Sequence, residues 1–174
     1  MTTHPLDPGK IADLLAVGPA ILDAELRAAG EALASWPPAP GEWSMKACVG
    51  HLIEAERRGF AGRIRIVLAE DRPNLMTWDQ PVVALARHDD ERPMDELLAE
   101  FADLRADSVE LIRSLRSSDL DRIGRHPFVG DLAVRDVLAE WPHHDRNHIR
   151  QALAIVQARV YDQLGSARRF VDDE

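Results

Sequence analysis

A chain of 174 residues and 19.4 kDa has the size of a single domain, large enough to bury about 70% of its unfolded surface without disulfide staples. Its 30 Asp and Glu against 21 Lys and Arg give a formal charge of −9, which argues against a duplex nucleic-acid backbone as partner, because such binders concentrate basic residues. With 45% apolar and 29% charged residues the composition is that of a soluble globular chain rather than a disordered one, and a single cysteine excludes an intramolecular disulfide framework or a Cys-rich zinc module. Met1–Lys10 lacks the charged and apolar regions of a secretory signal. No stretch approaches the ~18 uninterrupted apolar residues of a membrane span. The expectation is a cytoplasmic protein of one domain over residues 1–174, with a core from about 8 to 164 and a short flexible C-terminal tail.

Four long helical stretches are expected in chain order. The first, about Pro8 to Ser35, opens with a proline suited to a first helical turn and carries Ile11, Leu14, Leu15, Ile21, Leu22 and Leu33 at mostly three- and four-residue steps; Gly18 and Pro19 should bend it. The prolines of Trp36–Gly41 then end it, since each lacks an amide donor and disfavours helix in the preceding residue. Ser44 reads as an N-cap for a second stretch, about Met45 to Glu70, striped by Val49, Leu52, Ile53, Phe60, Ile64, Val67 and Leu68.

From Asp71 to Pro93 runs a connection longer than the ~2–8 residues usual between bundle helices, which should cross the end of the bundle or cover something. A third stretch, about Met94 to Arg116, has helical spacing through Leu97, Leu98, Phe101, Leu104, Leu111, Ile112 and Leu115, and Ser117 to Asp131 reads as a loop. The fourth, about Leu132 to Leu164, has its stripe at Val137, Trp141, His144, His148, Gln151 or Ala152, and Ile155. Without a convincing alternating strand, the expected class is an all-α four-helix bundle with a long crossover between its second and third helices.

Two positions of that last stripe are histidine. His144 and His148 differ by only ~40° around a helix and stand one above the other. Imidazole buried without a partner loses its hydration, and a metal ion is one compensation. His51 on the second stretch can border the same interior. Three imidazoles at ~2.0–2.1 Å from an ion would leave coordination positions open for water or substrate. The spacing is equally that of a histidine pair held by ordinary side-chain partners.

Neighbouring residues divide in the same way. His143 lies ~140° from His148 around the helix and reads as a rim residue. Cys48 is a possible thiolate ligand or inert core. Glu54 and Asp145 are candidates to accept hydrogen bonds from ligand N–H groups, or else solvated charges. Pro142 should kink the fourth helix. Trp43 and Trp141 read as packing residues, whereas Trp78 in the long connection, His126 before Pro127, and Gln151 are candidates for a pocket wall.

Gly41-Glu42-Trp43-Ser44 followed by His51-Leu52-Ile53-Glu54, and His144-Asp145-Arg146-Asn147-His148-Ile149-Arg150-Gln151, resemble the Trp-Ser, first-ligand and His-Asp-x-x-His-Ile-x-Gln segments of the DinB-like family of damage-inducible-type bundles. Asp119-Leu120, Arg122, Gly124, His126-Pro127 and Gly130 resemble the family's approach to its fourth helix, so that the resemblance spans about Ala12 to Ala158. It implies an up-down-down-up bundle, a divalent ion held by His51, His144 and His148, and dimers through bundle faces.

Some members are thiol S-transferases of the bacillithiol type. The leading reading is therefore a metal-dependent enzyme, S-transferase-like or hydrolase-like, acting on a small molecule. Zinc or nickel would serve as the ion, and a low-molecular-weight thiol is a candidate cosubstrate. The alternative is a non-catalytic bundle stabilised by its metal and used for stress-related binding or regulation. A bundle without metal ranks third.

Overall fold

The computed structural model describes residues 7–172. Residues 1–6, which belong to the amino-terminal segment read above for a signal, and residues 173–174 of the expected tail lie outside the described residues. The helices are α1 (Pro8–Ala16), α2 (Gly18–Ala34), α3 (Met45–Glu54), α4 (Ala61–Ala69), α5 (Gln80–Arg87), α6 (Met94–Ser114), α7 (Val134–Tyr161) and α8 (Arg168–Asp172). A two-stranded antiparallel hairpin, β1 (Ile123–His126) and β2 (Gly130–Ala133), precedes α7. No helix among the described residues is long and apolar enough to cross a membrane.

The first expected stretch is α1 and α2, parted at Val17 immediately before the Gly18-Pro19 pair. Asp7 caps α1 by accepting from the Lys10 amide at 3.0 Å, and Ser44 caps α3 by accepting from the Ala47 amide at 3.0 Å, each satisfying one amide that the first turn leaves free. The second stretch is α3 and α4, joined by a π-helical turn over Ala55–Gly59 in which the Phe60 amide donates to the Ala55 carbonyl at 2.8 Å. α7 runs through Pro142 without ending there.

Two apolar clusters show how the helices run. One gathers Ile11, Leu15, Ile64, Ile112 and Leu138, and the other Leu26, Val49, Leu97 and Ile155. The first stretch thus leads from the first cluster to the second, α3–α4 and α6 both lead back, and α7 returns. This is an up-down-down-up four-helix bundle. Because α4 and α6 are parallel, the chain between them must travel the length of the bundle, which accounts for the long crossover.

That crossover is more structured than its sequence suggests. It contains α5, capped by Asp79, which accepts from the Val82 amide at 3.1 Å, and a short 3-10 turn over Asp89–Glu91. Arg87 fastens it to α3, reaching Glu54 at 2.8 Å and Asp89 at 2.7 Å. Nearer α4, the Leu75 amide donates to the Arg125 carbonyl at 2.8 Å and the Arg125 amide to Pro73 at 2.7 Å, so the crossover lies along β1. α5 itself buries no residue.

Between the two clusters lies a charged layer to which each stretch contributes. Arg105 of α6 donates from Nε to Glu56 at 2.7 Å, and from Nη1 to Asp145 of α7 at 2.5 Å and to the Leu15 carbonyl at 2.9 Å. Ser108 donates to the other Glu56 oxygen. Arg105, Ser108, Glu56 and Asp145 are each 1% exposed. Gly18 closes the layer: a Cβ there would stand 3.5 Å from Arg105 Nη1 and 3.6 Å from Asp145 Oδ2. Ionic groups this deep are tolerable only when paired and hydrogen-bonded.

Candidate metal centre

His51 in the last turn of α3 meets His144 and His148 of α7, with one ligand atom from each lying within 4.8 Å of the others. His51 Nε2 and His144 Nε2 are 3.0 Å apart. The ring centroids are separated by 4.3 Å for His51 and His148, 4.5 Å for His144 and His148, and 5.1 Å for His51 and His144. His51 is buried, and the other two are half-buried. His143 is exposed, as its helical offset requires.

Aromatic rings fix the walls. Trp43 stacks on His148 at 5.7 Å and lies 4.9 Å from His51. Phe60 and His144 form a T-shaped pair at 5.0 Å, and Phe60 stacks on Trp141 at 5.0 Å. Trp141 is therefore core, and Trp43 is both packing and a wall of the histidine cluster.

Burial followed by repulsion from His148 lowers the pKa of His51 to about 4, and the same causes, with His51 added, lower that of His144 to about 3. His148 is also lowered, by burial, against a raising hydrogen bond to Gln151. Near neutrality all three are uncharged imidazoles, the form that binds metals.

Gln151 Oε1 lies 3.0 Å from His148 Nδ1. With the proton on Nδ1, the bond fixes the tautomer and leaves Nε2 as a lone-pair donor. Among the described residues, His144 Nδ1 is buried without a partner. The donor set fits a divalent ion of borderline softness, since it offers neutral nitrogen from two helices and no competing charge within the cluster.

The other candidates lie elsewhere. Glu54 is engaged by Arg58 and Arg87: burial opposes its ionisation, but these hydrogen bonds hold its pKa below the usual carboxylate range. Asp145 belongs to the Arg105 layer, where it accepts from Arg105 Nη1. Cys48 is fully buried, with its thiol pushed up to about 12 by burial and then by Asp90. Gln151 does line a pocket, an open cleft of about 620 Å³ whose wall includes Pro38, Glu42, Trp43 and His148. Trp78 and His126 line two other, adjoining depressions.

Sequence reasoning passed over Arg105 and Glu56. A signal was present, because Arg105 and Ser108 fall on the apolar stripe of α6 with Phe101 and Ile112. It also passed over Arg63, which lies beside Trp78 and His126.

Residues 14–152 match the DinB superfamily, a span that includes all three histidines. The chain belongs to this superfamily. Among relatives of this DinB protein, "Putative metal-dependent hydrolase OB0782" of Oceanobacillus iheyensis is 19% identical over 68% of this chain and 68% of its own length. "Putative metal-dependent hydrolase BCAH820_2714" of Bacillus cereus is 24% identical over 62% of this chain and 61% of its own. YfiT from Bacillus subtilis, described as "a probable metal-dependent hydrolase with an unusual four-helix bundle topology", superposes with a TM-score of 0.78 at 19% identity, covering 86% of both chains. At that identity the likeness establishes a shared fold for the DinB bundle.

Proposed function

We propose that the protein is a metal-dependent hydrolase of small molecules, with His51, His144 and His148 as ligands of a zinc or nickel ion. The observation that carries this reading is the convergence of three neutral imidazoles beside an open cleft. The names of the two relatives agree with it. A bound ion would supply Lewis acidity, polarising a carbonyl or making water a better nucleophile near neutral pH.

The chain's own residues have separate tasks. Gln151 orients His148 through Nδ1, and Trp43 and Phe60 hold the rings and limit water from their sides. The cleft, at about 620 Å³, has the size of a small-molecule site. Glu42 is its wall's carboxylate and supplies a proton acceptor for attack by water. Glu54, held by arginines, is not available for that task.

The test is elemental mass spectrometry of the tag-free protein beside His51→Ala and His144→Ala, followed by ester and amide hydrolysis with the reconstituted protein. Stoichiometric metal lost in both variants, with metal-dependent hydrolysis, is the expected result. Conjugation of a low-molecular-weight thiol to an electrophile, without hydrolysis, would replace the hydrolase reading with that of an S-transferase. Absence of metal after zinc and nickel reconstitution would overturn both.

A further inference from the structure

Arg63 of α4 reaches His126 of β1, with Nη2 3.0 Å from His126 Nε2. On the other side of the ring, the Phe128 and Val129 amides point at Nδ1 from 3.3 and 3.4 Å. The imidazole is thus approached by N–H donors at both nitrogens. A neutral imidazole has only one acceptor nitrogen. If Nδ1 accepts from the hairpin amides, Nε2 carries a proton and faces a guanidinium N–H.

Arg63 is itself underused. Its Nε is buried without a hydrogen-bond partner among the described residues, and its guanidinium lies over the Trp78 ring, 5.6 Å from the centroid. Burial lowers its pKa, and Glu140 is the carboxylate that opposes this. Glu140 is exposed and forms no hydrogen bond to Arg63 or His126 among the described residues. A half-buried cation with an orphaned N–H, opposed to an imidazole N–H, lacks an acceptor between them.

We propose that Arg63 and His126, with Trp78 against the guanidinium, form a subsite for an oxyanion group of a small-molecule substrate, either a carboxylate or a phosphoryl group. One oxygen accepts from Arg63 and another from His126 Nε2–H, while Nδ1 continues to accept from the hairpin amides. One charge-assisted bond from the planar guanidinium and a second bond from the imidazole N–H suit either oxyanion. The flanking depressions, about 250 Å³ beside Arg63 and Trp78 and about 380 Å³ beside His126, share Met76 and Thr77 and leave room for such a group.

The position relates the subsite to the histidine cluster. Phe60, whose ring packs T-shaped with His144, precedes Arg63 by three residues, and Glu140 precedes His144 by one turn, ~6 Å along α7. Assignment of the oxyanion to the substrate of the histidine cluster rests on the hydrolase reading. Oxyanion binding at Arg63 and His126 does not.

The experiment follows the histidine side-chain nitrogens by long-range 1H–15N NMR in the zinc-loaded full chain and again after metal removal. Inorganic phosphate and acetate are titrated against chloride at equal ionic strength. Phosphate, acetate or both should shift the His126 Nε2 resonance saturably in both preparations, and which of them does so identifies the oxyanion. Arg63→Gln should weaken the response roughly tenfold or more, the loss expected for a charge-assisted bond, while Glu140→Gln should tighten it. No saturable shift with either anion, or a shift unchanged in both variants, would overturn the subsite. A response that survives in protein holding no metal after reconstitution would leave the subsite standing and remove only the hydrolase reading.

Discussion

His148 Nδ1 and the Gln151 side-chain oxygen lie 3.0 Å apart on one turn of α7. Gln151 is exposed and His148 half-buried, so the amide reaches inward from the cleft rim to set the imidazole's proton. Gln151→Leu keeps much of the side chain's bulk but removes the acceptor. It should lower metal affinity about 10–100-fold, the usual cost of losing a partner that orients a ligand. Competition with a chromophoric chelator checks this, and unchanged affinity would show that Gln151 does not orient the ring.

The two adjacent histidines of α7 should behave oppositely. His144 faces His51 and Phe60, whereas His143 is exposed. His144→Ala should abolish stoichiometric metal and lower the melting temperature of the zinc-loaded protein, because binding to the folded state alone stabilises by mass action. His143→Ala should change neither. Equal metal loss in both variants would refute the ligand assignment.

The metal-free protein should lose stability on mild acidification. His51 and His144 are lowered to about 4 and about 3, first by burial, against ~6.5 in an unfolded chain. Between those limits the unfolded state binds more protons than the folded one, so stability rises with pH. Their contribution is fully present above pH ~6.5 and is lost progressively as pH falls toward 4 and 3. Urea unfolding of metal-stripped protein from pH 7.5 to 5 should show the decline, and the His51→Ala/His144→Ala double variant should show a shallower one.

Glu56→Leu should cost about 3–5 kcal/mol, the range for removing one member of a buried ion pair. It leaves Arg105 without its Nε acceptor and Ser108 without a partner. Replacing Glu56, Arg105 and Asp145 together by apolar residues of similar volume should recover much of that loss. Equilibrium urea unfolding of the two variants checks this, and a triple variant as unstable as Glu56→Leu would refute it.

The crossover offers a separate test at Gly50. A Cβ there would overlap the Asp89 carboxylate, which binds Arg87, itself bound to Glu54. Gly50→Ala should therefore destabilise the protein by about 1–3 kcal/mol through overpacking, with faster hydrogen exchange over α5. Unchanged exchange there would mean that the crossover is fastened elsewhere.

How far the sequence was legible follows from burial. The long helices could be read because Leu22, Leu52, Phe101 and Ile155 each repeat a buried face. α5 could not, because it buries nothing and so imposes no stripe. The four-residue strands of the hairpin are too short for alternation to declare itself. At the site, the approach of His51 to His144 and His148 was legible from helical spacing and from the family motifs. The partners of Glu54 and Asp145 were not, because Arg87 and Arg105 reach them from elements remote in sequence.

The π-helical turn at Ala55–Gly59 acts as a phase adjuster in the second stretch. Its extra residue lets His51 before it and Phe60 and Arg63 beyond it all meet α7 or the hairpin, while Glu56 within it turns into the charged layer. If the same residues wound as ordinary α-helix through this turn, everything downstream would swing by ~100°. Phe60 would leave His144 and Arg63 would leave His126, although neither residue would have been changed. The winding of this segment, and not only its composition, couples the histidine cluster to its surroundings.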